Sequence, residues 1–165
     1  MNSTTKTIII IGAGAAGLFS AIHNKLNFPK ANVIILEKSS NVLSKVKISG
    51  GGRCNVTHAC FEPKQLIEHY PRGKKELLSC FYKFQPQDTM NWFEAEGVQL
   101  KIESDNRVFP CSNSSQTIID CLLEKAKKLN ITIQTKIAIE SVSKQQHQFI
   151  IQSKNTPIIP CDKLI

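Results

Sequence analysis

Two short runs of aliphatic residues frame an amphipathic segment near the start of the chain. The first, Thr7–Ile11, is rich in β-branched residues, which is typical of a strand buried on both faces of a parallel sheet. Apolar residues then recur at every fourth position from Leu18, as expected for a helix over 18–26. Asn32–Leu36 is again apolar and β-branched. This pattern predicts a strand, a helix and a second, parallel strand.

The pattern in the middle of the chain predicts three short helices. They are predicted over 63–70, 74–84 and 87–96, separated by turns that contain proline or glycine. Their aromatic residues fall at helical spacing, so we expect them in a core rather than in a stacking surface for bases or a flavin. These aromatic residues are Phe81, Tyr82, Phe84, Trp92 and Phe93.

The last third of the chain mixes one helix with several strands. A cluster of capping residues at 112–115 precedes an apolar stripe, which predicts a helix, and 131–135 predicts the third parallel strand beside the second. The segments 137–142, 148–152 and 158–165 are predicted to be strands of an antiparallel meander returning to the sheet. The fold class is therefore α/β: a Rossmann-like, doubly wound parallel sheet with an antiparallel β-meander.

A Gly-x-Gly-x-x-Gly turn joins the first strand to the first helix. Gly12 allows a tight turn, Gly14 lets a pyrophosphate approach the backbone, and Gly17 lets the helix pack closely on the sheet. The N-terminus of the helix adds unpaired N–H groups and about half a positive charge. Glycines that only punctuate a turn are the alternative, which the flanking strand and helix disfavour. The predicted phosphate-binding residues are Gly12, Gly14, Ala15, Ala16 and Gly17.

An acidic residue at the end of the second strand completes the dinucleotide-binding pattern. Glu37 can accept hydrogen bonds from both hydroxyls of an adenosine ribose, and its charge would repel a 2′-phosphate. FAD or NAD is therefore favoured over NADP. Lys38, the next residue, is included in the predicted cofactor site.

A second glycine-rich loop covers residues 45–57. Three consecutive glycines carry a large backbone entropy cost, which is justified where φ must be positive or where backbone must approach a ligand. Positive and short polar side chains flank them. A flexible surface loop is the alternative.

Charge is unevenly divided along the 165 residues. Residues 1–84 hold 12 basic and 4 acidic side chains, a balance of +8, whereas residues 85–165 hold 9 of each. A basic half suits a polyanion such as cofactor phosphates or nucleic acid, although a solvated lysine-rich surface is an equal alternative. With 41% hydrophobic residues the chain is within the globular range, which excludes disorder as a description of the whole.

The cysteines and histidines give no metal-binding spacing. The 6 cysteines form no CxxC pair and no HExxH accompanies them, so no metal site is predicted. Each histidine is interpreted as a surface residue or as one with satisfied hydrogen bonds. Reduced thiols without a secretory signal favour a cytoplasmic location. The longest uncharged stretch, 7–24, is too polar and short to span a bilayer, so no membrane association is expected.

The segment Ser-Gly-Gly-Gly-Arg-Cys-Asn, following the first glycine turn and its acid, resembles the aminoacetone oxidase-like family of FAD-dependent oxidoreductases, which includes bile-acid reductase-like members. The stretch 84–103 and the Asn-Arg-Val-Phe-Pro stretch from Asn106 are similar to later segments of that family. This chain has Leu43 and Ser44 where the family usually has glycine and then a basic residue, and Asn106 where glycine is common.

The resemblance implies that FAD is the cofactor and that the second loop lies along it, near the pyrophosphate and flavin end. It also implies that a residue after the third strand, Ile137, touches adenine through its backbone. Cys54 is interpreted as packing beside the cofactor rather than as a reactive thiol. The residues carried over to this loop are Lys45, Gly50, Gly51, Gly52, Arg53, Cys54 and Asn55.

The resemblance further implies the organisation of a longer protein. The expected layout is a βαβ unit with the glycine-rich loop over 1–58, a helical insertion over 59–110, and a helix, third strand and meander over 111–165. The family continues with a substrate domain that is absent here, so the chain is interpreted as the N-terminal part of an FAD-binding domain. The first strand is then expected to lack a neighbour on one side.

Function follows as an expectation of the resemblance. The full-length protein is expected to act on a small-molecule substrate, with NAD(P)H as a candidate electron donor, and no catalytic residue can be named. The 165 residues alone are expected to bind FAD weakly or not at all and to turn over nothing. A non-catalytic nucleotide-binding remnant and a nucleic-acid-associated flavoprotein of the tRNA-modification kind are the alternatives, although a nucleic-acid partner is not expected because no binding module is present.

Overall fold

The computed structural model describes residues 5–154 and 156–165 and divides the chain into two compact units. The first unit comprises Met1–Val46 together with Leu122–Ile165. The second unit comprises Lys47–Cys121. Each unit has its own sheet or sheets, so each is described by itself.

A parallel sheet forms the centre of the first unit. Its strand order is β10-β1-β2-β6, and every neighbouring pair in it is parallel. The strands are β1 (Thr7–Ile11), β2 (Asn32–Leu36), β6 (Thr132–Gln134) and β10 (Lys163–Leu164). The first three match the predicted strands, and β6 pairs with β2 as predicted.

Both faces of this sheet are covered, which explains its unbroken apolar sequence. Successive side chains of a strand point to opposite faces. On one face, Ile9 and Leu36 are buried in a cluster with Ile151 and Cys161 of the meander. The other face of the sheet packs against helix α1 (Ala15–Asn27), whose Leu18, Ala21 and Ile22 are buried. Apolar residues at consecutive positions therefore all find a core.

The meander consists of three antiparallel strands in the order β7-β8-β9. They are β7 (Ile139–Gln145), β8 (Gln148–Ser153) and β9 (Thr156–Cys161). Their pairing confirms the predicted meander.

The expectation that β1 lacks a neighbour on one side is wrong. The chain bends at Asp162, whose carboxylate accepts a hydrogen bond from Thr7 N at 2.7 Å and whose own N–H donates to Thr7 O at 2.9 Å. The next residues then run along β1 as β10, and Ile11 N donates to Ile165 O at 2.9 Å. The predicted strand over 158–165 is thus two strands, the second of which covers the flank of β1.

The second unit combines short helices with a small sheet. Its helices α3 (Pro63–Leu66), α4 (Lys74–Phe81) and α5 (Pro86–Ala95) confirm the three predicted helices, with a 3-10 turn at Ile67–His69 extending the first. The unit begins within helix α2 (Ser44–Ile48) and ends within helix α6 (Ser115–Lys128).

A three-stranded antiparallel sheet in this unit was not predicted. Its order is β3-β5-β4, formed by β3 (Thr57–His58), β5 (Arg107–Pro110) and β4 (Leu100–Ile102). The segment 59–110 is therefore more than a helical insertion. These strands are two to four residues long, too short to produce an alternating pattern, and β5 ends in proline.

The aromatic residues of this unit are only partly a core. Phe93 is buried, as predicted, whereas Tyr82 is 59% exposed and Phe84 is 40% exposed. The expected core is thus wrong for these two residues, which lie just after the end of α4 rather than within it. In the described part of the chain, no helix has the length and apolar character required to cross a membrane.

Candidate functional site

The first glycine turn connects the end of β1 to the start of α1. Gly12 has φ +102° and donates its N–H to Leu36 O at 2.8 Å, so the chain turns sharply against the end of β2. The first hydrogen bond of the helix ladder runs from Leu18 N to Gly14 O at 3.0 Å. The N–H groups of Ala15, Ala16 and Gly17 precede it and have no carbonyl of their own helix to bind.

Gly14 and Gly17 are needed for different reasons. A Cβ on Gly17 would lie 1.9 Å from Gly12 O, a distance that no side chain can occupy. A Cβ on Gly14 would meet no heavy atom within 4 Å, so open space lies in front of it. No side chain caps this end of α1, and its first turn carries no acidic residue. The start of α1 is therefore an exposed, positively polarised end that suits an anion.

Glu37 lies at the end of β2 and is tied to the same turn. Its Oε2 accepts a hydrogen bond from Ala13 N at 2.8 Å, and its Oε1 accepts one from Ser39 N at 2.8 Å. Hydrogen bonds from the Ser39 and Ala13 backbone lower the pKa of Glu37 and keep it ionised. Each carboxylate oxygen can accept a second hydrogen bond, so the group can still receive two hydroxyls.

The end of β6 lies beside this acid. Ile137 N donates to Glu37 O at 2.9 Å, and Lys136, with φ +61°, donates its N–H to Ser39 O at 3.0 Å. The Ile137 side chain packs against the cluster shared by the sheet and the meander. Its N–H is thus already used within the fold. Lys38 is exposed beside this edge.

The second glycine loop forms a tight turn over Ser49–Gly52, in which Gly50 and Gly51 have left-handed rather than helical backbone. Its three glycines have φ +55°, +67° and +86°, so the conformational demand predicted for them is confirmed. Cys54 N donates to Ser49 O at 3.0 Å and closes the turn. A Cβ on Gly50 would lie 2.8 Å from Asn55 N, whereas one on Gly51 or Gly52 would meet nothing within 4 Å.

Arg53 is held inside the second unit. Its guanidinium forms an ion pair with Glu103 and lies 4.0 Å from the centroid of the Phe109 ring. Cys54 is buried, and burial raises the pKa of its thiol while a hydrogen bond with the Ser49 side chain opposes the shift. A raised pKa disfavours the thiolate and agrees with a packing role. Lys45 and Asn55 are exposed.

Two of the positions at which this chain departs from the family pattern have left-handed backbone. Leu43 has φ +54° and Asn106 has φ +63°. Asparagine tolerates this conformation, and Leu43 compensates by burying its side chain, which is 1% exposed. Its N–H donates to Ala13 O at 2.8 Å, which ties this turn to the first glycine turn.

A cluster that sequence reasoning missed lies in the second unit. His58, Cys60 and His69 place their ligand-type atoms within 4.8 Å of one another. His58 Nδ1 is buried and forms no hydrogen bond within the described residues, so the expectation that each histidine is satisfied or on the surface is wrong here. Ten residues separate His58 from His69 in the sequence, so their proximity cannot be read from it, and the sole local signal is the His-x-Cys spacing.

Comparison with known proteins supports this description of the fold. Residues 6–165 match the family described as HI0933-like protein Rossmann domain. The ribosomal RNA dihydrouridine synthase of Escherichia coli is 31% identical over 95% of this chain, and the 3-dehydro-bile acid delta(4,6)-reductase of Clostridium scindens is 25% identical over 94%. The chain spans 38% and 37% of the lengths of these two proteins.

Solved structures share the fold at low sequence identity. The 3-ketosteroid-delta4-(5alpha)-dehydrogenase of Rhodococcus jostii superposes with a TM-score of 0.64 over 96% of this chain and 45% of that protein, at 12% identity. At this level of sequence identity the likeness shows the fold alone.

Proposed function

Because the chain belongs to the HI0933-like Rossmann-domain family of FAD-binding oxidoreductases, we propose that its first unit binds the adenosine diphosphate half of FAD. The observation that carries this proposal is the open space in front of Gly14 at an uncapped helix start. Bound there, FAD would supply hydride or electron transfer to a substrate that the rest of a longer protein selects.

The residues of the first unit have separate roles in this proposal. The N–H groups of Ala15, Ala16 and Gly17 bind the pyrophosphate, and Gly14 keeps the approach clear. Glu37 accepts hydrogen bonds from the ribose hydroxyls while its backbone bonds hold it in place. A 2′-phosphate would meet this charge, so NADP is disfavoured at this position. Ile137 offers its carbonyl oxygen to adenine.

The second loop is proposed to follow the cofactor further, as its family resemblance implies. Gly51 and Gly52 have open space around their Cα atoms, which suits close approach of a ligand to backbone. Arg53 is a weaker candidate for a phosphate contact, because Glu103 already neutralises its guanidinium.

The test titrates the 165-residue chain with FAD, ADP and FMN. We expect FAD and ADP to bind weakly and with similar affinity and FMN not to compete, because the proposed contacts lie on the adenosine diphosphate half. Gly14→Ala should weaken both ligands about tenfold or more, because the added methyl group lies where the pyrophosphate approaches.

Ser143→Val is the matched control, since it adds apolar bulk at an exposed position of β7 in the same unit. It should bind like the parent. Competition by FMN, or unchanged ADP affinity in Gly14→Ala, would contradict the proposed site.

A second candidate function is an RNA-modifying flavoprotein, and one observation favours it: the Escherichia coli relative is named a ribosomal RNA dihydrouridine synthase. The basic first half of the chain includes the exposed residues Arg72 and Lys75, whereas Lys74 pairs with Glu68 at 2.5 Å. RNA bound through Arg72 and Lys75 should lose affinity steeply as salt rises. A flat salt response in RNA-binding measurements would exclude this candidate.

A further inference from the structure

The cluster of His58, Cys60 and His69 has the composition of a transition-metal site. Two imidazoles and one thiol offer three ligand atoms, all within 4.8 Å of one another. Imidazole and thiolate are the ligands that Zn²⁺ prefers, and three protein ligands leave its fourth position to water. We propose that this cluster binds one Zn²⁺ ion within the second unit, through residues that take no part in the proposed nucleotide site.

The backbone holds two of the three ligands firmly in position. His58 is in β3, where it pairs with Arg107 of β5. Ala59 N donates to Asn106 O at 2.7 Å, and Cys60 N donates to His58 O at 2.8 Å. A hydrogen bond between residues two apart closes a γ-turn, and this turn at Ala59 holds Cys60 next to His58.

The third ligand comes from a more adaptable segment. His69 is exposed and ends the 3-10 turn Ile67–His69, which follows α3. Helix α3 is anchored through Pro63 and Leu66, which are buried. His69 can therefore adjust its side chain without moving the core below it.

The separations suit closure around a small ion. Tetrahedral Zn²⁺ with bonds of about 2.1 Å to nitrogen and 2.3 Å to sulfur keeps its ligand atoms about 3.5 Å apart. Starting from separations of at most 4.8 Å, the ligands need to close by roughly 1 Å, which small rotations of the three side chains can supply.

A simple aromatic contact explains less of the cluster. The His58 and His69 rings are 4.5 Å apart, which stacking alone accounts for. Stacking does not account for the Cys60 thiol beside them, whose contact with Glu62 O is 4.0 Å long. It also leaves His58 Nδ1 buried without a hydrogen-bond partner in the described chain, a state that is normally avoided. A bound ion accounts for the thiol beside the two rings, and it would also satisfy His58 Nδ1 if that nitrogen is the ligand atom.

The test uses the untagged, metal-free, reduced 165-residue chain with Zn²⁺, and with Co²⁺ as a spectroscopic replacement. We expect one equivalent of Zn²⁺ to bind and to raise the unfolding temperature, because the ion binds the folded state. Co²⁺ should give the near-ultraviolet charge-transfer band of a single thiolate ligand.

Two variants and two controls distinguish this site from adventitious binding. Cys60→Ser should abolish the Co²⁺ charge-transfer band, and Cys60→Ser and His69→Ala should each weaken Zn²⁺ about tenfold or more. Cys111→Ser and His147→Ala change an exposed cysteine and an exposed histidine elsewhere and should bind like the parent.

The proposal is overturned if the parent binds no Zn²⁺, if the charge-transfer band persists in Cys60→Ser, or if the controls lose binding equally. Circular dichroism of each variant checks that the fold is retained, so that loss of the ion is assigned to the ligand itself. Binding of Cu²⁺ without Zn²⁺ would refute the metal assignment.

Discussion

The two glycine-rich loops contain three glycines each but use them for different physical purposes. Between Gly12 and Gly17, only Gly12 has positive φ; Gly14 leaves space open, and Gly17 avoids a clash with Gly12 O. In the second loop all three glycines have positive φ, and Gly50 is also enclosed by Asn55 and Phe109. The first loop requires glycine mainly because a side chain would occupy needed space, whereas the second requires it mainly because φ is positive.

This difference separates a turn that ends at an open helix start from a turn that closes on itself. The first loop ends at an uncapped helix N-terminus with an ionised carboxylate beside it. The second loop closes on itself through Cys54 N and Ser49 O, and its neighbouring cation Arg53 is neutralised by Glu103. Glycine content alone therefore does not distinguish the two turns, whereas the uncapped N–H groups at the start of α1 do.

The largest expected effect that would break this comparison comes from Gly17→Ala. The new Cβ would sit 1.9 Å from a backbone oxygen, so α1 must move away from β1. We expect a loss of about 3 kcal/mol or more in the free energy of unfolding, at the upper end for overpacking. Urea denaturation followed by circular dichroism measures it.

Gly14→Ala is the control for that measurement. Its φ of −85° suits any residue, and its Cβ meets no atom within 4 Å. The weaker N-cap preference of alanine and its lower unfolded-state entropy oppose each other, so stability should change by less than about 0.5 kcal/mol. Equal losses of unfolding free energy in the two variants would show that the clash at Gly17 is not what makes glycine necessary in the first loop.

The second expected effect separates conformation from space within the second loop. Gly50→Ala adds a clash with Asn55 N to the strain of a left-handed alanine, whereas Gly51→Ala adds the strain alone. We expect losses of about 2–3 kcal/mol for Gly50→Ala and about 1 kcal/mol for Gly51→Ala by the same urea measurement. If Gly51→Ala has no effect, positive φ is not what this loop requires glycine for.

The first unit could be predicted from sequence because its signals are local. A β-branched run, spaced glycines and an acid at the next strand end specify the βαβ turn within about forty residues. The course of the last strand could not be predicted in this way. The bend at Asp162 depends on hydrogen bonds with Thr7, a residue far away in sequence. The local pattern of hydropathy therefore does not indicate where the strand bends.

The second unit was harder to predict because its features are short or non-local. Within it, the left-handed backbone of Asn106 is indicated by the residue type. In the first unit the same conformation at Leu43 is not, because its strain is offset by a burial that is visible only in the fold. The proximity of His69 to His58 likewise depends on how α3 returns towards β3. Sequence spacing therefore predicted no metal site where three ligand-type side chains meet.

The smallest expected effect on stability concerns Glu37, whose carboxylate accepts a hydrogen bond from the first loop. In Glu37→Gln one of the two backbone N–H groups, of Ala13 or Ser39, loses its acceptor and meets an amide donor instead. Because the group is only half-buried, we expect a loss of about 1 kcal/mol at neutral pH. Urea denaturation of the parent and the variant across a pH series measures it.

The pH series should show a particular sign. The backbone hydrogen bonds lower the pKa of Glu37 in the folded state from its usual value of 4.5, so the folded chain binds its proton less readily than the unfolded chain. Its stabilisation is therefore complete above about pH 5 and is lost as pH falls through the lowered folded value. The difference between parent and Glu37→Gln should be constant from neutral pH down to about pH 5 and shrink in more acidic solution. A difference that grows on acidification would mean that the carboxylate is not held as an ion by Ser39 and Ala13, and the first loop would then lack the fixed negative group that distinguishes it from the second.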